Sequence, residues 1–209
     1  MQRKKQEEKS KQRILEAATK LFAQKGFDGV GIREICKAAD ANICMISYFW
    51  GGKEGLYRGI LDDLVQKQTE YVKTFLDFDI EPDTLTKDEQ INLLYKLIDK
   101  SIELLYNDFI SDDLFRFLLQ EQQAQKIELT SPTFIYIRKL LGAIFNKDYN
   151  DKDIIFKTVF IMSQINSPKI MPAFSLRLLN QDKFTEEDKN LIKSNVKIYI
   201  RALLSEDIE

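Results

Sequence analysis

Apolar residues recur at helical spacing along almost the whole of this 209-residue chain, and very little interrupts them. Four prolines and eight glycines are its only strong punctuation, and the glycines crowd between Gly26 and Gly52, so the remainder can run in long helices. From Ser10 onward Ile14, Ala17, Ala18, Leu21 and Phe22 share one stripe, and Gly26 ends that helix. The basic residues before Ile14 read as a loose arm or first turn with no core to join. The pattern predicts an all-α fold.

Composition narrows the function classes. With 44% hydrophobic and 31% charged residues the chain has enough apolar matter for a real core. It contains no histidine, which removes Ser-His-Asp and Cys-His catalysis and nearly every common zinc site. Cys36 and Cys44 lack a CxxC spacing and read as reduced thiols. No cofactor or metal is implied. No apolar run is long enough to span a bilayer, and MQRKKQEEKSKQR has no apolar segment to act as a secretory signal, so a cytoplasmic location is expected. The net charge of -2 hides an asymmetry: residues 1–58 hold twelve Lys and Arg against seven Asp and Glu, a net of +5, and the rest carries -7. A basic head on an acidic body suits a protein that meets a polyanion at one end.

Two short helices follow the first, one through Ile32, Ile35, Cys36 and Ala39, the other through Ile43, Ile46 and Trp50, with Asp40-Ala41-Asn42 between them. Neither is long enough to be stable alone, and a braced pair joined by a three-residue turn is a helix-turn-helix, whose second helix can enter the DNA major groove. Ile43 and Ile46 are expected to point inward, leaving Asn42, Cys44, Met45, Ser47 and Tyr48 outward. In that arrangement Met45 suits a thymine methyl, Asn42 an adenine edge and Tyr48 a phosphate. Gly51-Gly52 then turns the chain and Lys53 opens a long helix, where a lysine favours phosphate. GGKE lacks the spacing of a nucleotide-binding P-loop.

The segment RILEAATKLFAQKGFDGVGIREICKAADANICMISYFWGGKEGLYRGIL resembles the DNA-binding domain of the TetR/AcrR family, and NICMISYFWGGKEGLY is similar to its CecR-like subgroup. The resemblance implies an N-terminal three-helix helix-turn-helix DNA-binding domain, taken as residues 1–52, and a helical ligand-binding and dimerisation domain over 53–209. It further implies a ligand-responsive repressor that binds a palindromic operator as a homodimer. Carried over by position, Arg33, Asn42, Met45, Tyr48 and Lys53 are the foremost DNA-facing residues, and Cys44, Ser47 and Phe49 complete the candidate DNA-binding set. Four positions depart from the family habit: Gly31 stands where Ser or Thr caps the second helix, Asp40 where the turn has Gly, and Ser47 and Phe49 where Tyr and His often contact phosphate.

Beyond the head, the helix opened by Lys53 should run to near Phe78, with Asp79 to Asp83 as a linker. Thr86 with Glu89 forms a capping box, Ser111 precedes Asp112 and Asp113 as an N-cap, and Ser131-Pro132 opens another helix. Asp151 starts a helix apolar on most sides that Asn166-Ser167-Pro168 should interrupt, and Thr185 with Asp188 starts the last. These two helices are the dimer candidates. Eleven of fourteen phenylalanines follow residue 58, and an apolar effector pocket would draw on Tyr95, Arg116, Phe117, Gln120, Glu121, Phe160 and Gln164. Aromatics at helical spacing are equally consistent with plain core. Two other readings stay open here: a helical enzyme acting on an apolar substrate, and a head that has turned to a protein partner.

Overall fold

The computed structural model describes residues 2–107, 109–123 and 131–206, with side chains from residue 6 to residue 205 of these. Among the described residues there are nine α-helices and no strand. They are α1 (Gln2–Lys25), α2 (Ile32–Ala38), α3 (Cys44–Trp50), α4 (Lys53–Lys73), α5 (Lys87–Tyr106), α6 (Asp112–Gln123), α7 (Pro132–Phe145), α8 (Lys152–Ile170) and α9 (Glu186–Glu206). α4 stops at Lys73, short of the expected Phe78, and a 3-10 turn, Pro82–Thr84, overlaps the end of the expected linker. No helix among the described residues is long and apolar enough to cross a membrane.

The chain divides into two compact units, Met1–Phe75 with Ser111–Ser131, and Leu76–Ile110 with Pro132–Glu209. The boundary expected at residues 52 and 53 therefore falls inside the first unit, which keeps α4 and also takes α6 from the middle of the chain. In this unit α1 packs on α2, α3, α4 and α6. Its core gathers Ile14, Ala18, Phe22, Ile35, Ile46, Leu56 and Phe117, all buried. Burying each of the larger of these is worth about 1.5–3 kcal/mol, which is how two seven-residue helices persist without intrinsic stability of their own. Phe27 folds back onto Phe22, ring centroids 5.6 Å apart. One expectation fails: α1 is helical back to Gln2. Gln, Lys, Glu and Arg are good helix formers even with no apolar stripe, and Gln12 with Glu16 is one of the side-chain pairs that ties successive turns.

In the second unit each helix packs on two neighbours, α5 on α7 and α9, and α8 on α7 and α9. Leu94, Leu97, Ile98, Leu140, Leu141, Ile161, Val196 and Ile200 fill its centre. The capping box at Thr86 forms, with the Glu89 N–H donating to Thr86 Oγ1 and the Thr86 N–H to Glu89 Oε2 at 2.8 Å. Ser111, Asp151 and Thr185 likewise accept from the first turns of α6, α8 and α9. Pro168 does not interrupt α8, which continues to Ile170. In the turn before the proline the Ser167 hydroxyl also donates to the Ser163 carbonyl and Asn166 Nδ2 to the Met162 carbonyl. The Met171 N–H then resumes the ladder onto Ser167.

The seam between α5 and α9 carries a feature that no sequence motif announces. Lys189, Lys193 and Lys197, spaced one helical turn apart, reach Asn107, Glu103 and Asp99 at 2.8, 3.2 and 2.7 Å. The two helices run antiparallel, so ascending lysines meet descending acceptors. A one-turn slip would leave a half-buried lysine or carboxylate without its partner, which makes the ladder a register lock.

Candidate nucleic-acid interface

Helix α2 begins at Gly31, whose extended backbone (φ -98°, ψ 150°) fits an N-cap without any side-chain cap, so losing the hydroxyl usual there leaves the helix start intact. The turn after α2 runs through Asp40 at φ 46°, the left-handed conformation for which glycine is the common choice and Asp a tolerated one. Ala41 donates back to the Cys36 carbonyl at 3.0 Å and closes that turn. At its far end Asn42 Oδ1 accepts from the Cys44 N–H at 2.9 Å. Burial pushes the Cys36 thiol above its ordinary pKa, and neighbouring Cys44 adds to the shift, so Cys36 stays protonated as a core side chain.

Helix α3 is fixed from below. Ile46 is fully buried, while Met45, Phe49 and Trp50 are half-buried. Trp50 lies against a glycine face of α4: a Cβ on Gly55 would come within 1.7 Å of the Trp50 carbonyl oxygen, and one on Gly59 within 2.4 Å of its indole nitrogen. Gly51, at φ 72°, ends α3 and sends the chain straight into α4. The Tyr48, Phe49 and Trp50 rings stand edge to face in sequence, at 5.0 and 5.4 Å. A seven-residue helix is thereby held as firmly as a longer one, and what it presents outward is set by register.

That outward stripe is Ile43, Cys44, Ser47 and Tyr48, all exposed, with Tyr48 at 75%. Two expectations are corrected here. Ile43, expected inward, is 43% exposed at the N-cap of α3, where the backbone is already helical (φ -58°, ψ -31°). Met45, expected outward, packs against the core, taking the inward place one position before Ile46. Asn42 is exposed, but its oxygen already caps α3. Arg33 and Lys37 are exposed one turn apart on α2, and neither forms an ion pair with another described residue. Lys53 opens α4 with its ammonium 4.3 Å from the Phe27 ring centroid, which orients the side chain while leaving N–H donors for an anion.

The expected effector residues do not gather within one unit. Arg116, Phe117, Gln120 and Glu121 belong with the head, while Tyr95, Phe160 and Gln164 belong with the second unit. Phe117 is core, packed on Tyr57 at 5.3 Å and Phe22 at 6.3 Å, and Gln120 Nε2 donates to the Ala23 carbonyl at 3.2 Å, bracing α6 on α1. Arg116 pairs with Asp113 at 3.5 Å on the surface. Glu121 is buried at 7% exposure. Phe160 is 55% exposed on α8. Sequence reasoning missed Gly55, Gly59 and the exposure of Ile43; the GxxxG spacing of the two glycines, one turn apart beside a tryptophan, is the signal that could have found the first two.

Comparison with known proteins agrees with this geometry. Residues 14–60 match the family of bacterial regulatory proteins, tetR family, and residues 91–206 match the C-terminal domain of the HTH-type transcriptional dual regulator CecR. CecR of Shigella flexneri is 26% identical over 212 residues, covering 94% of this chain and 92% of its own. The HTH-type regulator YttP of Bacillus subtilis is 40% identical over 65 residues, a match spanning 31% of either chain. Among solved structures, a TerR/AcrR-family transcriptional regulator from Aquifex aeolicus superposes with a TM-score of 0.58 at 17% identity, covering 93% of this chain and 99% of its own. The chain belongs to the TetR/AcrR family of transcriptional regulators and carries a C-terminal domain of the CecR type.

Proposed function

We propose that this regulator is a cytosolic homodimer that represses by occupying a palindromic operator and is displaced by a small apolar effector. The observation that carries the reading is the braced, exposed stripe of α3 beside the exposed cations of α2. A solvent-facing Tyr48 and Ile43 on a helix held rigidly from behind are poor surface design unless something covers them, and a major groove flanked by phosphates does. Arg33 and Lys53 are the phosphate contacts of this proposal, with Asn42, Cys44, Ser47, Tyr48 and Phe49 at or beside the groove.

Dimerisation has its own support. Ile155, Phe156, Val159 and Phe160 form a continuous apolar stripe on α8, opposite the buried Ile154, Ile161 and Ile165. Leu191 and Ile198, two turns apart on α9, extend the apolar surface of the same unit. The helix that reads as apolar on most sides is thus buried on one face in the single chain, and a second subunit supplies the other cover. Dimeric heads about 34 Å apart would read half-sites one DNA turn apart. An effector weakens binding only if it prefers the conformation with the wrong spacing. The chain leaves the second unit at Ser111 for α6 and returns at Pro132, so a ligand that moves α6, with its buried Glu121, displaces α1 as well.

The test is a gel-shift and footprint on genomic fragments, including the DNA around the protein's own gene, across a salt series. A protected palindrome with steep salt dependence, weakened in an Arg33→Ala, Lys53→Ala variant, is the expected result. Binding with equal affinity to every fragment would sink the operator reading. Small apolar compounds that raise the melting temperature should lower DNA affinity, and none doing so would remove the effector from the proposal.

A further inference from the structure

The outward stripe of α3 is unusual in what it lacks. Cys44-Met-Ile-Ser-Tyr-Phe-Trp50 contains no Arg, Lys, Asn, Gln, Asp or Glu. Those are the side chains that form bidentate hydrogen bonds to a guanine, adenine or cytosine edge, the strongest direct discriminators in the major groove. The one amide close by, Asn42, has its oxygen engaged with the Cys44 N–H at 2.9 Å, and pairing with adenine requires that oxygen as acceptor. What the helix does offer is Ile43, exposed at 43%, one turn from Ser47 and on the same stripe. Tyr48 and Cys44 flank that pair.

We propose that this chain selects its operator mainly through thymine methyl groups, with Ile43 as the specificity-determining side chain, and not through bidentate contacts to base edges. The inference rests on the reading that α3 docks in the major groove. The C5-methyl of thymine is the only apolar feature that an unmodified base pair shows there, and an exposed branched aliphatic is the side chain that gains from covering it. Ser47 can donate to or accept from any base and discriminates weakly. The phosphate contacts position the helix and carry no sequence information. Half-sites rich in T·A and A·T pairs, without a required guanine under α3, follow from this chemistry.

The experiment uses the full chain. Duplexes are selected from a random-sequence library, and the best binder is resynthesised with single thymines replaced by deoxyuridine, which keeps every hydrogen-bonding group and deletes only the methyl. Cytosine and 5-methylcytosine are placed at the same position. Losing one buried methyl contact should weaken binding about fourfold per half-site, and roughly fifteenfold when both half-sites lose theirs. Deoxyuridine and cytosine should bind alike, and 5-methylcytosine should recover most of what cytosine loses. Ile43→Ala should bind thymine and deoxyuridine duplexes equally; its melting curve, unchanged from wild type, shows the fold intact. A selected half-site whose discriminating bases are guanines, or deoxyuridine binding as tightly as thymine in the wild type, overturns the proposal. So does Ile43→Ala keeping the full thymine preference. If the library yields no enriched sequence at all, the operator reading falls together with this one, and the two failures are told apart by that result.

Discussion

Among the apolar surfaces that lie open on the described residues, the stripe of α3 and that of α8 differ in how they are made. That of α3 is short, Cys44, Ser47 and Tyr48 on a seven-residue helix with Ile43 at its N-cap, and it is wedged in place by a tryptophan on a glycine face. That of α8 is part of a 19-residue helix, has two phenylalanines at its centre and is continued by apolar side chains on α9. The first is built for precision of placement, the second for area. Hydrophobic exposure alone does not distinguish a groove reader from a subunit contact; the rigidity of the support and the charge of the surroundings do.

The sharpest way to break the comparison is to place charge on the larger stripe. Phe156→Glu with Phe160→Glu should leave the single chain folded, since both rings are half-exposed, and should abolish the proposed dimer, whose formation would bury carboxylates that have no partner. A cost of about 3 kcal/mol or more per subunit pair is expected. Light scattering should report the mass of one chain where wild type gives two, and operator affinity should fall with it. A variant that stays dimeric would move the interface elsewhere. A smaller loss is expected at the support of the other stripe. Gly55→Ala drives a Cβ into the Trp50 backbone, an obstacle that no side-chain rotation relieves, and should cost about 3 kcal/mol of head stability. DNA binding should be lost while the dimer mass persists, the converse of the first result.

How far the sequence told this in advance follows the same division. The head's three-helix order, its caps and its turn are written in short-range chemistry: Gly26, the Asp40 turn, Gly51-Gly52, and apolar positions three and four apart. So are the helix starts at Thr86, Ser111, Asp151 and Thr185. What could not be read required knowing which residues meet across the fold. Ile43 reads as inward by spacing from Ile46, yet it stands at the N-cap of α3, before the helix proper, with its side chain 43% exposed. Pro168 reads as a stop, yet α8 passes through it to Ile170, and the Met171 N–H bonds back to the Ser167 carbonyl. Phe117 reads as pocket, yet α6 carries it into the head. The lysines of α9 look like a solvated face until α5 is laid beside them.

A milder change tests whether the two units fail separately. Thr86→Ala removes the capping box of α5, which lies wholly in the second unit, and should cost about 1 kcal/mol. Urea unfolding followed by far-UV circular dichroism should show the lower midpoint, with operator affinity at saturating protein unchanged. Equal losses of stability and of DNA binding would mean that the head depends on α5 for its shape.

The smallest effect concerns the ladder between α5 and α9, and it has a definite sign. Hydrogen bonds and charge from Lys100 and Lys193, at 2.7 and 3.2 Å, hold the Glu103 carboxyl below its ordinary value of 4.5. A carboxyl whose folded pKa is depressed stabilises the fold above its unfolded value and loses that contribution as pH falls through the folded one. Glu103 is about a third exposed, so solvent screening limits its share to a few tenths of a kcal/mol. Asp153, also held low by Lys147 and Lys157, titrates in the same window, so acid unfolding of wild type alone does not isolate Glu103. Comparing wild type with Glu103→Gln does: the variant should be less stable at pH 7 and should draw level as the pH falls through the depressed folded pKa. A gap of the same size at both pH values would assign Glu103 a packing role, and the register of α9 would then rest on Asp99 with Lys197 and on Asn107 with Lys189.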